Sequence, residues 1–71
     1  MAFVKVVSAA SVIGGSFISL KDELINTDAI TNIKRFDEKG LVYYIVFTSG
    51  GSSTLPAEEA KKVFEAIGVS L

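Results

Sequence analysis

Three adjacent carboxylate pairs, Asp22-Glu23, Asp37-Glu38 and Glu58-Glu59, are the nearest this chain comes to catalytic equipment. Two carboxyls can divide general-acid and general-base work when burial pushes their pKa values apart. Each pair here has a lysine within two residues (Lys21, Lys39 and Lys61), and each falls in a polar turn or on the wet side of a predicted helix. Solvated carboxylates are not split in that way, so they are expected to be surface charges. Asp22, Glu23, Asn26 and Asp28 offer oxygen ligands, but their order lacks the spacing of a calcium loop. With no cysteine and no histidine, a zinc site of thiolates or imidazoles, a cysteine nucleophile and any Ser-His or Cys-His pair are excluded. Gly14-Gly15-Ser16 and Gly50-Gly51-Ser52 lack the glycine spacing by which backbone amides at a helix start hold phosphates, so both read as turns. No catalytic residue, metal or cofactor is expected.

One other constellation could bind something. Tyr43 and Tyr44, on a predicted strand, share the middle of the chain with Lys34 and Arg35. Aromatic rings on a sheet stack single-stranded bases, and nearby cations neutralise phosphates. The competing reading is that both rings fill a core or an interface and keep their hydroxyls at its rim. Lys34 and Arg35 would then face solvent or pair with Asp37 and Glu38. The net charge of −1, with interleaved signs and no basic stripe, favours that second reading.

The elements that would carry these residues follow from the hydrophobic pattern. Leu41 to Thr48 is apolar on both sides of a strand: Leu41, Tyr43, Ile45 and Phe47 alternate with Val42, Tyr44, Val46 and Thr48. Ahead of it, Asp37-Glu38-Lys39-Gly40 reads as a hairpin turn, and Ala29 to Phe36 as a strand whose alternation fails near its start, where a tight turn through Ile30 or a bulge there would restore register. After it, Ser49-Gly50-Gly51-Ser52 turns the chain and Ser53-Thr54-Leu55 pairs back as a short edge strand. Asn26-Thr27-Asp28 is a polar cluster whose short side chains bond nearby backbone.

The closing segment is a helix of about three turns. Pro56 suits its first turn, Glu58 and Glu59 complement the positive end of its dipole, and Gly68 ends it. Ala60, Val63, Phe64 and Ile67 make one apolar stripe, while Glu58 is placed to pair with Lys62.

At the amino end, Val6 to Leu20 is an uncharged run of 15 residues, too short for a membrane span of about 20. Lys5, the apolar residues Val6 to Ile13 and the small residues beyond them loosely imitate a signal peptide. Phe3 to Val7 and Phe17 to Leu20, separated by Gly14-Gly15, fit two strands and a turn better, and the cytoplasm is the expected location.

The stretch Leu24 to Ile33, with its Ile25-Asn26-Thr27-Asp28-Ala29-Ile30 motif, is followed by a hydrophobic strand, a glycine turn at Gly50-Gly51 and a helix from Pro56. In this it resembles the small flagellar FlbD and SwrD proteins, over roughly residues 20–67. The resemblance implies an Asn-x-Asp turn ahead of a β-hairpin, and it does not extend to the longer apolar opening segment.

Seventy-one residues make a single domain spanning 1–71. At this size folding removes roughly 60% of the unfolded surface, which is marginal without disulfides, metal or subunit association. The first two are absent by composition, and 49% hydrophobic residues exceed what so small a chain hides easily. The expected fold is α+β: an antiparallel β-meander of four or five strands with one C-terminal α-helix packed on one face. The expected function is that of a small non-enzymatic homo-oligomeric structural or adaptor module. Its interface would centre on Leu41, Tyr43, Ile45 and Phe47, joined by Val4 and Val6 of the first strand. The alternative is a single-stranded nucleic-acid-binding module using Tyr43, Tyr44, Lys34 and Arg35.

Overall fold

The computed structural model describes residues 2–70. It is α+β, with seven strands in antiparallel pairings and one helix. β1 (Phe3–Ser8) pairs with β4 (Lys21–Asn26), and between them β2 (Ser11–Ile13) pairs with β3 (Ser16–Ile18) around Gly14-Gly15. Both glycines have positive φ, 59° and 78°, the left-handed geometry that a two-residue hairpin turn demands and side chains resist. A 3-10 turn, Thr27–Ala29, leads to β5 (Ile30–Glu38), β6 (Leu41–Thr48) and β7 (Gly51–Pro56), then to α1 (Ala57–Ile67).

The four or five strands expected from the sequence become seven because the opening hairpin breaks in two. At Ala9 the chain stops following β4 and donates its amide to the Thr54 carbonyl on β7 at 2.9 Å, while the Ala10 amide bonds the Ile18 carbonyl at 2.9 Å. Ser19, with φ of 57°, absorbs the bend on the returning side. The β2–β3 arm is thus a hairpin separate from the β1–β4 pair. The meander expected from the sequence is also interrupted: β4 and β5 are consecutive but do not pair, and β1 meets β7 instead. That places β7 between β6 and the end of β1, where an edge strand had been expected, and lengthens it to six residues.

Other local features follow the side-chain chemistry. The Asn26 carboxamide oxygen accepts the Asp28 amide at 3.0 Å and so nucleates the 3-10 turn. The register slips between Ile30 and Asn32, as the broken alternation predicts, and the extra residue Thr31 bonds the Phe47 carbonyl through its hydroxyl at 3.2 Å. Lys39 and Gly40 close β5 onto β6 with φ of 51° and 82°. Pro56 stands one residue earlier than the first helical turn, ending β7 and capping α1. At the other end Gly68 is left-handed, its amide bonds the Glu65 carbonyl and the Val69 amide bonds the Phe64 carbonyl at 2.9 Å, a complete Schellman termination.

The helix packs across β1, β6 and β7. Ala60, Val63 and Phe64 meet Val6, Ile25, Val46 and Leu55 to form the core, with Val4, Ile30, Ile33 and Tyr44 at its margin. Ile67, the fourth member of the expected apolar stripe, lies beyond the sheet and is 37% exposed.

Candidate functional site

The helix lies over the Val46 part of one side of β6, and the other side has no buried residue. Val46 is fully buried beneath α1, and Tyr44 meets the Phe64 ring edge-on at 5.2 Å between centroids. On the opposite side Leu41, Tyr43, Ile45 and Phe47 are all only partly buried. Register adds their neighbours: Phe36, Lys34 and Asn32 from β5, and Pro56, Thr54 and Ser52 from β7.

The centre of this open face is aromatic. Phe36 stacks on Tyr43 with centroids 5.5 Å apart and planes 11° from parallel. Phe17, reaching over from the β2–β3 arm, meets Tyr43 edge-on at 6.3 Å. The Lys34 ammonium lies 5.5 Å from the centre of the Phe47 ring, close enough for a cation–π contact. Phe17 thus places the arm against Tyr43 on this face. Its own outward side carries Ile13 and Ile18, which are 64% and 40% exposed.

The two valines assigned to an interface point the other way. Val6 is in the core with 1% of its surface exposed, and Val4, on the same side of β1 and opposite Ile25, packs at the core margin. The outward residues of β1 are Phe3, Lys5 and Val7, and Phe3 adjoins the exposed Leu24 of β4. Alternation in the sequence shows that two sets of residues face apart. It does not say which set meets the helix, and Phe3 and Val7 on one side of β1 are as apolar as Val4 and Val6 on the other.

The nucleic-acid constellation is divided between the two sides of the sheet. Tyr43 and Lys34 share the open face, whereas Arg35 is registered with Tyr44 on the helix side. Arg35 there approaches Asp37 at 3.9 Å, a loose and exposed ion pair. Tyr44 is held against the core.

Of the carboxylates, one has a role that its place in the sequence does not announce. Glu59 was expected on the wet side of α1 with Glu58 paired to Lys62. Instead Glu59 Oε1 accepts the Val7 amide of β1 at 2.9 Å and the Lys62 ammonium at 3.0 Å. Its side chain is 18% exposed. The backbone hydrogen bond first, then Lys62, holds its pKa below the ordinary value of 4.5 against the opposing effect of burial. It thereby supplies an acceptor on the side of β1 that faces away from β4. Among the described residues no three acidic side chains come together in a group able to hold a metal ion. A depression of about 290 Å³ beside β4 and the β6–β7 turn is walled by Phe3, Leu24, Asn26, Ser49 and Gly50, and Glu23 is its one ionisable lining group. Among the described residues no helix is long and apolar enough to cross a membrane.

No family model matches this chain, and no curated protein or solved structure is significantly similar to it. The candidate site is thus defined by its geometry: an aromatic sheet face, half covered by a short arm.

Proposed function

We propose that this protein is a non-enzymatic module that works by association with copies of itself, as a structural or adaptor element, through the open face of β6. The observation that carries this reading is the Phe36–Tyr43 stack with Leu41, Ile45 and Phe47 beside it, left partly exposed on the strand whose other side forms the core. Aromatic residues that are rigid, apolar and only half covered are characteristic of protein interfaces. The arm's exposed Ile13 and Ile18 add apolar surface at the same end.

Light scattering at micromolar concentration tests it directly. An assembly of two or more chains is expected, and Ile45→Asp, which puts a charge in the middle of the face, is expected to dissociate it without unfolding the monomer. A wild-type chain that remains monomeric at these concentrations overturns the proposal.

A further inference from the structure

A second surface is the free edge of β5. Among the described residues β5 pairs with β6 alone, so its other edge presents unpaired backbone amides and carbonyls. Lys34 to Asp37 are all exposed, so neither the helix nor the arm lies over this part of the strand. Edges of this kind are usually protected by charge, and charged residues are present here. Their order is the informative feature.

Around Phe36 the strand reads Lys34-Arg35-Phe36-Asp37-Glu38, two cations, an aromatic and two anions. If two such strands run antiparallel with Phe36 opposite Phe36, residue 35 of each faces residue 37 of the other, and residue 34 faces residue 38. Every cation then meets an anion. On the open face Phe36 adjoins its counterpart, flanked by two Lys34–Glu38 pairs, and on the helix side lie two Arg35–Asp37 pairs. Directly opposed charges of unlike sign stabilise a strand pair, and those of like sign destabilise it. A slip of two residues in either direction places cations or anions opposite each other: centred on Arg35 it sets Arg35 against itself, and centred on Asp37 it sets Asp37 against itself. Parallel alignment in register sets every charge against its own sign. One register is thus favoured and its rivals are penalised, which is how charged strands achieve specificity.

We propose that two copies join through this edge in an antiparallel, two-fold arrangement centred on Phe36, making one continuous sheet β7-β6-β5-β5-β6-β7 across the dimer. The pairing is isologous, since the same patch serves both subunits. It deepens the self-association reading, on which it rests, by naming the strand, its register and the charged pairs. Lys34 and Phe36 also border the open face, so the joined edge would bring two such faces side by side.

Sedimentation velocity on four proteins tests it: wild type, the acidic variant Lys34→Glu/Arg35→Glu, the basic variant Asp37→Lys/Glu38→Lys, and the fourfold exchange combining all these changes. The acidic and the basic variant, each alone, are expected to associate about tenfold or more weakly than wild type. An equimolar mixture of the acidic and basic variants is expected to regain a 1:1 dimer, and raised salt is expected to weaken it. The fourfold exchange, with every charge reversed, is expected to dimerise as wild type does. Circular dichroism of each variant reports folding, and should a single-sign variant unfold, the fourfold exchange decides alone: if it is folded and monomeric, the pairing is overturned. If wild type associates and the folded acidic and basic variants associate equally well, the edge is not the contact, and the open-face proposal stands without it. Variants that separate but do not recombine also overturn this register. If wild type does not associate at all, both proposals fall.

Discussion

β6 carries apolar residues on both sides, and the two sides have had different fates. Its Val46 side is under α1, whose eleven residues present Ala60, Val63 and Phe64 as an unbroken stripe. Its Tyr43 side is under an arm of two three-residue strands, which reaches it through Phe17. A helix of three turns excludes water from a strip of sheet, whereas a narrow hairpin touches it at one end. Similar residue types therefore place one strand residue, Val46, fully in the core on one side and none on the other. Apolarity alone does not distinguish a core position from an interface position; the length of the covering element does.

The sharpest way to break that contrast is to truncate both sides. Leu55→Ala, in the fully buried layer beneath the helix, is expected to cost about 2–5 kcal/mol in urea denaturation. Ile45→Ala, on the open side, is expected to cost roughly 1 kcal/mol or less below the association threshold and to show instead as weaker self-association. Equal losses at the two positions would mean that both faces are core.

A middle-sized effect is expected where the arm meets the open face. Tyr43→Ala removes the ring that both Phe17 and Phe36 contact, each contact being worth about 0.5–1.5 kcal/mol. Hydrogen exchange should then accelerate across Ser11–Ile18 and not in α1. Protection unchanged in the arm would show that Phe17 does not hold it down.

Glu59 sharpens the other side of the comparison, because it fastens α1 to β1. Glu59→Ala leaves the Val7 amide without its carboxylate and is expected to cost about 1 kcal/mol. Since its folded pKa lies below the ordinary 4.5, its contribution is complete above that value and is lost as pH falls through the lowered folded pKa. Denaturation series for wild type and Glu59→Gln should therefore converge on acidification; a gap that stays constant down to strongly acid pH would sink this assignment.

The smallest expected effect comes from the turn between β5 and β6, which belongs to neither face. Lys39 is a side-chain-bearing residue at φ of 51° ahead of Gly40, a position that asparagine tolerates better. Lys39→Asn should raise stability by about 0.5 kcal/mol while leaving association unchanged. A change in association would implicate the turn in the contact.

Much of this molecule is legible in local residue chemistry. The break in alternation at Ile30 becomes the bulge, Asn26 bonds the Asp28 amide, and Gly68 ends the helix, because each depends on neighbours within a few positions. The arm was less legible: Gly14-Gly15 marks its turn, but nothing in Ala9-Ala10 announces that the strand will leave β4 for β7. The candidate face was half legible. Leu41, Tyr43, Ile45 and Phe47 share a side as alternation requires, whereas Val4 and Val6 went inward and Glu59 reached a strand 52 residues away in sequence.

Composition and spacing alone settle the absence of thiol and imidazole chemistry, the positions of most turns and the stripe of the single helix, since these depend on residue type and short-range periodicity. Which side of each strand the helix would cover, which carboxylate would meet a backbone amide and which edge would stay unpaired were decided only when β1, β7 and α1 came together. Those choices are long-range, and a strand that is apolar on both sides carries no local preference between them.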